Sequence, residues 1–599
     1  MESLKPQITL LLQHNEPPSE ANIYGIRKLL AEPSKRLAET RAKVKLLDEQ
    51  MKQLMREEET LCISIKPYEV VLAPIRRIPS DILHEVFFHC LSTHRNPIMD
   101  VTEAPILLTR VCRSWRSIAL SSPRIWSKIY IPIPIMPLGG YYPLIFTLNE
   151  RENRKWTYMQ VAEGRSKMIK SWLDRSGECP LSISISYPQD SPPGMDDQEK
   201  PFIGMILTEI IAFSRRWRTL ELKIPFRLYP TFGGSLTTKM LPMLEVLRLR
   251  IDNEHYLVGN NRSAPIPTAL LECAKLRDVS LYMLSSLTRD FRTMTPNWHQ
   301  IDRLYIHSKL PSDQFIKLLS QCHNLVEAKF YITRGPVYEH PTFVLPYLQT
   351  LIISDEAVNQ DMSIAFRSIQ APALNHVQYL RSPYIYLDPQ GNEEDDIYSR
   401  PLSIRNLLEA SSIDTLLVHL PRIIPLERIV ELLAAVPRTK HLTVARKRSN
   451  EKGDFVRFDD SPMGDSIFDP ECLSVRDGSE GVEGDLLLPD LQILEVYQIP
   501  GLYSDEDTAR MIKSRLQASK GGLVSALRMV KLHFLGQQKK DIKEDILQYA
   551  KELGIVDLNL EVTYAPRCPK HTNPLSSSYG LKSAGHSWNS DQIEESVIY

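Results

Sequence analysis

The sequence predicts a multidomain protein of α plus α/β class: an N-terminal helix with a coiled-coil pattern, a small helical module, and a long, irregular α/β repeat region. Three patterns carry this reading. Apolar residues recur at alternating steps of three and four between Ser34 and Leu61; two short apolar helices are spelled around Phe87 and Trp115; and the pattern L-x-x-L-x-L recurs along most of the remaining chain.

The 599 residues exceed what one core usually organises, so more than one folded unit is expected. Hydrophobic residues make up 43% and charged residues 24%, an ordinary globular composition. The 72 Lys and Arg against 73 Asp and Glu leave no global field to attract nucleic acid or an anionic membrane. Eight widely spaced cysteines form no CxxC and no dense framework, which fits a reducing compartment. The run Ile8–Leu12 is too short for a signal peptide, and no run approaches the roughly 18–20 apolar residues of a membrane span. The expectation is a soluble chain in the cytoplasm, the nucleus or both.

Residues 1–33 read as a flexible N-terminus and 34–66 as the helix, which starts just after Pro33. Leu37, Val44 and Met51 occupy one heptad position and Leu47, Leu54 and Leu61 the other, with Thr40 interrupting the seam. Two outcomes fit: a coiled coil that makes a homodimer, or a single amphipathic helix folded onto the next domain.

Residues 74–130 read as a helical module. Pro79 suits a helix start and Asp81 the positive end of the dipole. Ile82, Val86 and His89 form one row, and Leu83, Phe87 and Cys90 the next. After STHRNP, a second helix is expected from Pro105, carrying Leu107, Val111, Trp115 and Ile118, before SSPRIW turns at Ser121–Trp126. A unit this small hides only about 60% of its unfolded surface. Its two tryptophans and paired phenylalanines therefore ask for a further surface, either in the same chain or on a partner.

Residues 165–563 carry the repeats. A helix around Trp172 leads to the alternating Leu181, Ile183 and Ile185. Later copies end at Leu222, Leu249, Leu281, Ile306, Phe330 and Ile353, then at Tyr379, Val418, Val444, Val496 and near Leu532. Several steps (Leu281 to Ile306, then to Phe330, Ile353 and Tyr379) fall within roughly 20–29 residues, the leucine-rich-repeat range. Phe315–Leu319 and Ile429–Ala435 read as intervening helices. Stacked units of this kind bury a face that no single unit can, which predicts an irregular leucine-rich-repeat-like α/β solenoid. The competing reading is an ordinary α/β domain with degenerate leucine patterns. Residues 446–485, acidic and Gly-rich, read as a flexible insertion, and 564–599 as a disordered tail.

Taken in order, Pro74-Ile75-Arg76-Arg77-Ile78-Pro79 leading into Asp81-Ile82-Leu83, Val111-Cys112-Arg113-Ser114-Trp115-Arg116 with Ile118-Ala119, and Ser122-Pro123-Arg124-Ile125-Trp126 resemble an F-box. The form is similar to that of mushroom-forming fungi, in which a coiled coil precedes the box and a leucine-rich-like region follows. Ile78 replaces the usual leucine of a Leu-Pro pair, and Ser92–Pro105 is longer than a minimal F-box loop. The resemblance implies a trihelical module that docks on a Skp-family adaptor and through it on a cullin. Carried over residue by residue, the contacts it implies are Pro79, Ile82, Leu83, Val86, Val111, Cys112 and Trp115, some of which must form the module's own core.

No catalytic motif accompanies these patterns. His84 and His89 are five apart and do not share a helical face as a spacing of four would, and His94 and Cys90 add no metal-site spacing. Cys179 and Cys568 lack a local histidine motif, and Gly139-Gly140 and Gly233-Gly234 belong to no phosphate-binding loop and read as turns. Arg215-Arg216 and Arg446-Lys447-Arg448 are too short for a nucleic-acid surface. No cofactor is implied. The expected role is that of a non-enzymatic substrate receptor in an SCF-type ubiquitin ligase, its repeat region holding an unidentified target protein. Arg248, Ser280, Tyr305 and Lys329 are candidates for the strand face that meets it. The alternative is a non-degradative scaffold that uses the coiled coil and the repeats for assembly.

Overall fold

A computed structural model describes residues 12, 17–133, 148–187, 196–225, 228–252, 268–282, 297–336, 338–356, 362–381, 402–419, 426–445, 473–475, 486–499, 505–534 and 540–564. The chain divides into two compact units, Met1–Glu85 and Val86–Tyr599.

The first unit is dominated by α1 (Glu20–Leu72), 53 residues long and without a buried side chain. Ser19 caps it, its hydroxyl accepting from the Asn22 N–H at 3.3 Å, and Glu20 lies at the positive end of the dipole. The helix therefore begins well before Pro33, and 20–33 is not the flexible segment the sequence suggested. Pro33 and Pro67 both lie inside it, so neither marks an end. A proline removes one backbone hydrogen bond and favours a kink, but a long helix can continue through it.

The unit boundary falls inside α2 (Ser80–His89), which follows a 3₁₀ turn at Pro74–Arg77. Beyond it, the single second helix expected from Pro105 is two: α3 (Leu108–Val111) and α4 (Arg113–Leu120). The break is at Cys112, whose backbone is extended (φ −157°, ψ 172°) and whose Sγ accepts from the Trp115 N–H at 3.4 Å as the cap of α4. Arg116 Nε donates to the Thr109 carbonyl at 2.7 Å, satisfying an acceptor that an unbroken helix would have used. A last turn, α5 (Pro123–Trp126), runs into the first strand.

Among the described residues, the second unit is built on an open, fourteen-stranded, all-parallel sheet in which every strand lies beside the one before it in that sheet. Its first strands are β1 (Lys128–Pro132), β2 (Leu181–Ser186), β3 (Trp217–Pro225), β4 (Val246–Asp252) and β5 (Asp278–Tyr282). Then come β6 (Arg303–Pro311), β7 (Glu327–Thr333), β8 (Thr350–Glu356), β9 (His376–Arg381) and β10 (Thr415–His419). β11 (His441–Ala445), β12 (Ile493–Ile499), β13 (Met529–Phe534) and β14 (Asn559–Tyr564) complete it. Phe343–Val344 and Ile369–Gln370 pair as a separate small sheet.

The leucine pattern explains this order. The first apolar residue of each strand sits beside that of the next, in a row that runs Ile183, Leu220, Leu247, Val279, Leu304 and onward to Val530 and Leu560. The second does likewise through Ile185, Leu222, Leu249, Leu281 and Ile306. Nearly all are at most 1% exposed, each burial worth roughly 1.5–3 kcal/mol. Every strand the sequence proposed is present. Two more extend the sheet: β1 and β14, so it starts at Lys128, inside the residues assigned to the helical module. Helices appear where expected, at Leu148–Arg175 (α6), Ser312–Leu319 and Leu426–Ala434. Gly233 and Gly234 end a short helix rather than forming a turn. The proposed flexible insertion, apart from 473–475, and the proposed tail beyond Tyr564 lie outside the described residues.

Candidate docking surface

The two rows of α2 have opposite fates. Leu83 and Phe87 are buried, at 4% and 0% exposure, whereas Ile82 and Val86 of the neighbouring row are 50% and 37% exposed. Pro79 is exposed as well, and its carbonyl accepts the Leu83 N–H at 3.1 Å, opening the helix. In the second unit Val111 is 54% exposed and Cys112 is exposed, with its sulfur already engaged as the α4 cap. Trp115 is half-buried and lies on Phe87, with ring centroids 4.9 Å apart at 55°.

The seven residues singled out thus separate by environment. Leu83 is a core residue, and Trp115 packs against Phe87 at a tilt. Pro79, Ile82, Val86 and Val111 present apolar surface outward. Leu107 and Leu120, at 43% and 41%, do the same. Leu107, spaced by the sequence on one helix with Val111, Trp115 and Ile118, instead precedes α3 as its N-cap residue. Scattered exposed apolar residues are normal on any protein; here they lie on short elements that also carry the buried Leu83, Phe87 and Leu108, while Cys90, predicted in the row of Leu83 and Phe87, is exposed.

The aromatic surplus is absorbed within the chain. Trp126 is 1% exposed, its Nε1 donating to the Ala119 carbonyl at 2.7 Å. It meets Trp172 of α6 edge-on with centroids 4.9 Å apart, and Arg175 lies over its ring at 4.9 Å. Phe88 lies beneath Arg124, at 4.4 Å. The long segment before Pro105 also docks on the sheet. Asn96 Nδ2 donates to the Ser182 carbonyl at 3.2 Å and Ser184 Oγ at 2.7 Å, and Ile98 bridges Tyr130 of β1. Arg95 holds Glu103 through two bonds, of 3.0 and 2.6 Å, bracing the loop.

On the strands, Arg248, Ser280, Tyr305 and Lys329 are lateral neighbours in one row, as their place between the apolar pairs predicted. Arg248 faces Glu221 at 3.5 Å, and His307 Nε2 lies 3.1 Å from Ser280 Oγ. Burial, with Lys329, Arg250 and Arg248 nearby, pushes His307 down to about 4, so it is neutral at pH 7. Burial raises the Cys273 thiol to about 12, far from nucleophile behaviour. Among the described residues no group of three or more His, Cys, Asp or Glu is placed to hold a metal, and no helix is long and apolar enough to cross a membrane. Cys568, Gly139-Gly140 and Arg446-Lys447-Arg448 lie outside the described residues.

Comparison with known protein families and with curated proteins finds no match to either.

Proposed function

We propose that the chain is the substrate-recognition subunit of an SCF-type ubiquitin ligase, in the cytoplasm or nucleus, with Pro79, Ile82, Val86 and Val111 contributing to its contact with a Skp-family adaptor. The supporting observation is the split within α2: the row of Leu83 and Phe87 completes a core, and the adjacent row of Ile82 and Val86 is left to solvent. A docking helix requires apolar residues on such an outer row. The ordered resemblance of residues 74–126 to an F-box supports a Skp-family adaptor as the partner.

In this reading the parallel strands are a leucine-rich-repeat-like solenoid whose row of Arg248, Ser280 and Tyr305 faces a target, with Lys329 of the same row buried at 5% exposure. Catalysis is by proximity. Bound to the ligase through residues 74–126 and to the target through the strands, the receptor raises the effective concentration of target lysines near a charged conjugating enzyme, and no residue of its own touches the reacting thioester. The test is co-purification of the tagged full chain with a Skp-family adaptor, comparing the natural sequence with Ile82→Asp and Val111→Asp, with circular dichroism as a folding control. Retention of adaptor by the natural chain and its loss from both folded variants is the expected result. No retention by the natural chain would sink the reading and leave the scaffold role, which α1, without a buried side chain, favours.

A further inference from the structure

A helix of 53 residues with no buried side chain is poorly explained as a finished structure, because most helical stability in proteins comes from packing one apolar face. The heptad seam of α1 is longer than the stretch that first reveals it. The a position of Leu37, Val44 and Met51 extends back to Leu30 and Ile23 and forward to Ile65 and Leu72. The d position of Leu47, Leu54 and Leu61 extends to Ile26 and Tyr68. Leu54 is 64% exposed and Ile65 49%. Three positions interrupt the seam: Pro33, Thr40 and Glu58.

These interruptions and the flanking charges discriminate between orientations. In a parallel, in-register pair each a or d residue meets its own copy, so Glu58 would face the partner's Glu58 inside the seam. Arg36 at g would also face the partner's Arg41 at e, a like-charge contact, offset only by Lys43 opposite the partner's Asp48. In an antiparallel pair a meets d, while e faces e and g faces g. With Val44 opposite the partner's Leu47, the layers become Leu37 with Leu54, Leu30 with Leu61, Ile23 with Tyr68 and Ile26 with Ile65. Thr40 meets the partner's Met51, and Glu58 the partner's Pro33, so neither polar residue faces itself. Arg41 then faces the partner's Asp48 and Arg36 the partner's Glu57, each contact occurring twice by symmetry, with no like-charge pair among these flanking residues. Asp48 already holds Lys52 at 2.6 Å along its own helix and would gain a second cation from across the seam.

We propose that α1 pairs with α1 of a second copy of this chain as an antiparallel coiled coil centred on Val44 and Leu47, set in register by the Arg41–Asp48 and Arg36–Glu57 contacts. The inference rests on α1 alone and stands or falls independently of the adaptor.

The experiment is light scattering of the purified full chain over a concentration series, with circular dichroism of every variant. The natural chain is expected at twice its 68.8 kDa. Arg41→Glu sets carboxylate against carboxylate at two symmetric places and should raise the dimer dissociation constant about tenfold or more. Adding Asp48→Arg should restore it. In a parallel pair position 41 faces Arg36, so Arg41→Glu would tighten the dimer; that outcome overturns the antiparallel assignment. A chain that is monomeric at every concentration, or one of higher order than a dimer, overturns the proposal outright.

Discussion

Trp126 stands edge-on to Trp172, centroids 4.9 Å apart at 82°, and the two indoles tie the last helical turn before the sheet to the helix after β1. Each also donates to backbone: Trp126 Nε1 to the Ala119 carbonyl at 2.7 Å and Trp172 Nε1 to the Lys128 carbonyl at 3.1 Å. Trp126→Ala is therefore expected to cost about 3–5 kcal/mol, seen as a lower denaturation midpoint in urea. Trp126→Phe should cost less, because it keeps most of the buried area and loses mainly the hydrogen bond to Ala119. Equal losses in the two variants would show that the indole N–H, rather than the packing, is what matters.

Adjacent residues of α2 should respond oppositely. Leu83→Ala removes a side chain that is 4% exposed and should cost about 2–5 kcal/mol. Ile82→Ser, at a position 50% exposed, should stay within about 0.5 kcal/mol in the same denaturation experiment and should weaken adaptor capture. A large stability loss from Ile82→Ser would mean that this row is covered by the chain itself.

Arg515 is fully buried and binds three carbonyls, those of Leu473 and Leu487 at 3.1 Å and Leu488 at 2.6 Å. It pins residues on both sides of 476–485 to the helix Asp505–Lys520. Arg515→Met keeps the apolar stem but leaves those acceptors unpaired, with a cost of about 3 kcal/mol or more. Protease cleavage near Leu473–Leu488 should accelerate in this variant. An unchanged cleavage pattern would show that the carbonyls are held by something else.

His307 supplies a pH test. Its pKa is lowered from 6.5 to about 4 by burial first, then by Lys329, Arg250 and Arg248. The unfolded chain therefore takes up this proton before the folded one. The resulting stability is present above about 6.5 and is lost as the pH falls toward 4. His307→Gln should flatten that part of the stability profile. A profile identical to that of the natural chain between these limits would show that the imidazole is better solvated than its position beside Ser280 implies.

Much of the sheet was legible in advance because its signal is local and repeated. Two apolar residues two positions apart, recurring once per unit, identify a strand wherever they fall, and the strands ending at Leu222, Leu281 and Tyr379 were found this way. β1 and β14 were missed for opposite reasons. Ile129 falls inside residues 74–130 assigned to the helical module and Ile131 just beyond them, in a stretch given no strand; Leu560 and Val562 stand in a short strand whose outer residues are exposed. The break at Cys112 was illegible because Leu107, Val111, Trp115 and Ile118 satisfy one continuous helix. What defeats that helix is an extended cysteine whose sulfur caps the next one, and nothing in a periodicity announces such a cap.

The sequence by itself determined twelve of the sheet's strands and the heptad seam of α1, since each follows from spacing along the chain. Tertiary structure decided which apolar residues are spent on the core. Ile82 and Leu83 are chemically near-identical neighbours in one helix, and their fates differ only because burial is a property of what arrives from elsewhere in the chain. The same physics places Trp126 under Trp172 and leaves Val111 in water: apolar residues supply a driving force without direction, and only the assembled fold says where it is satisfied.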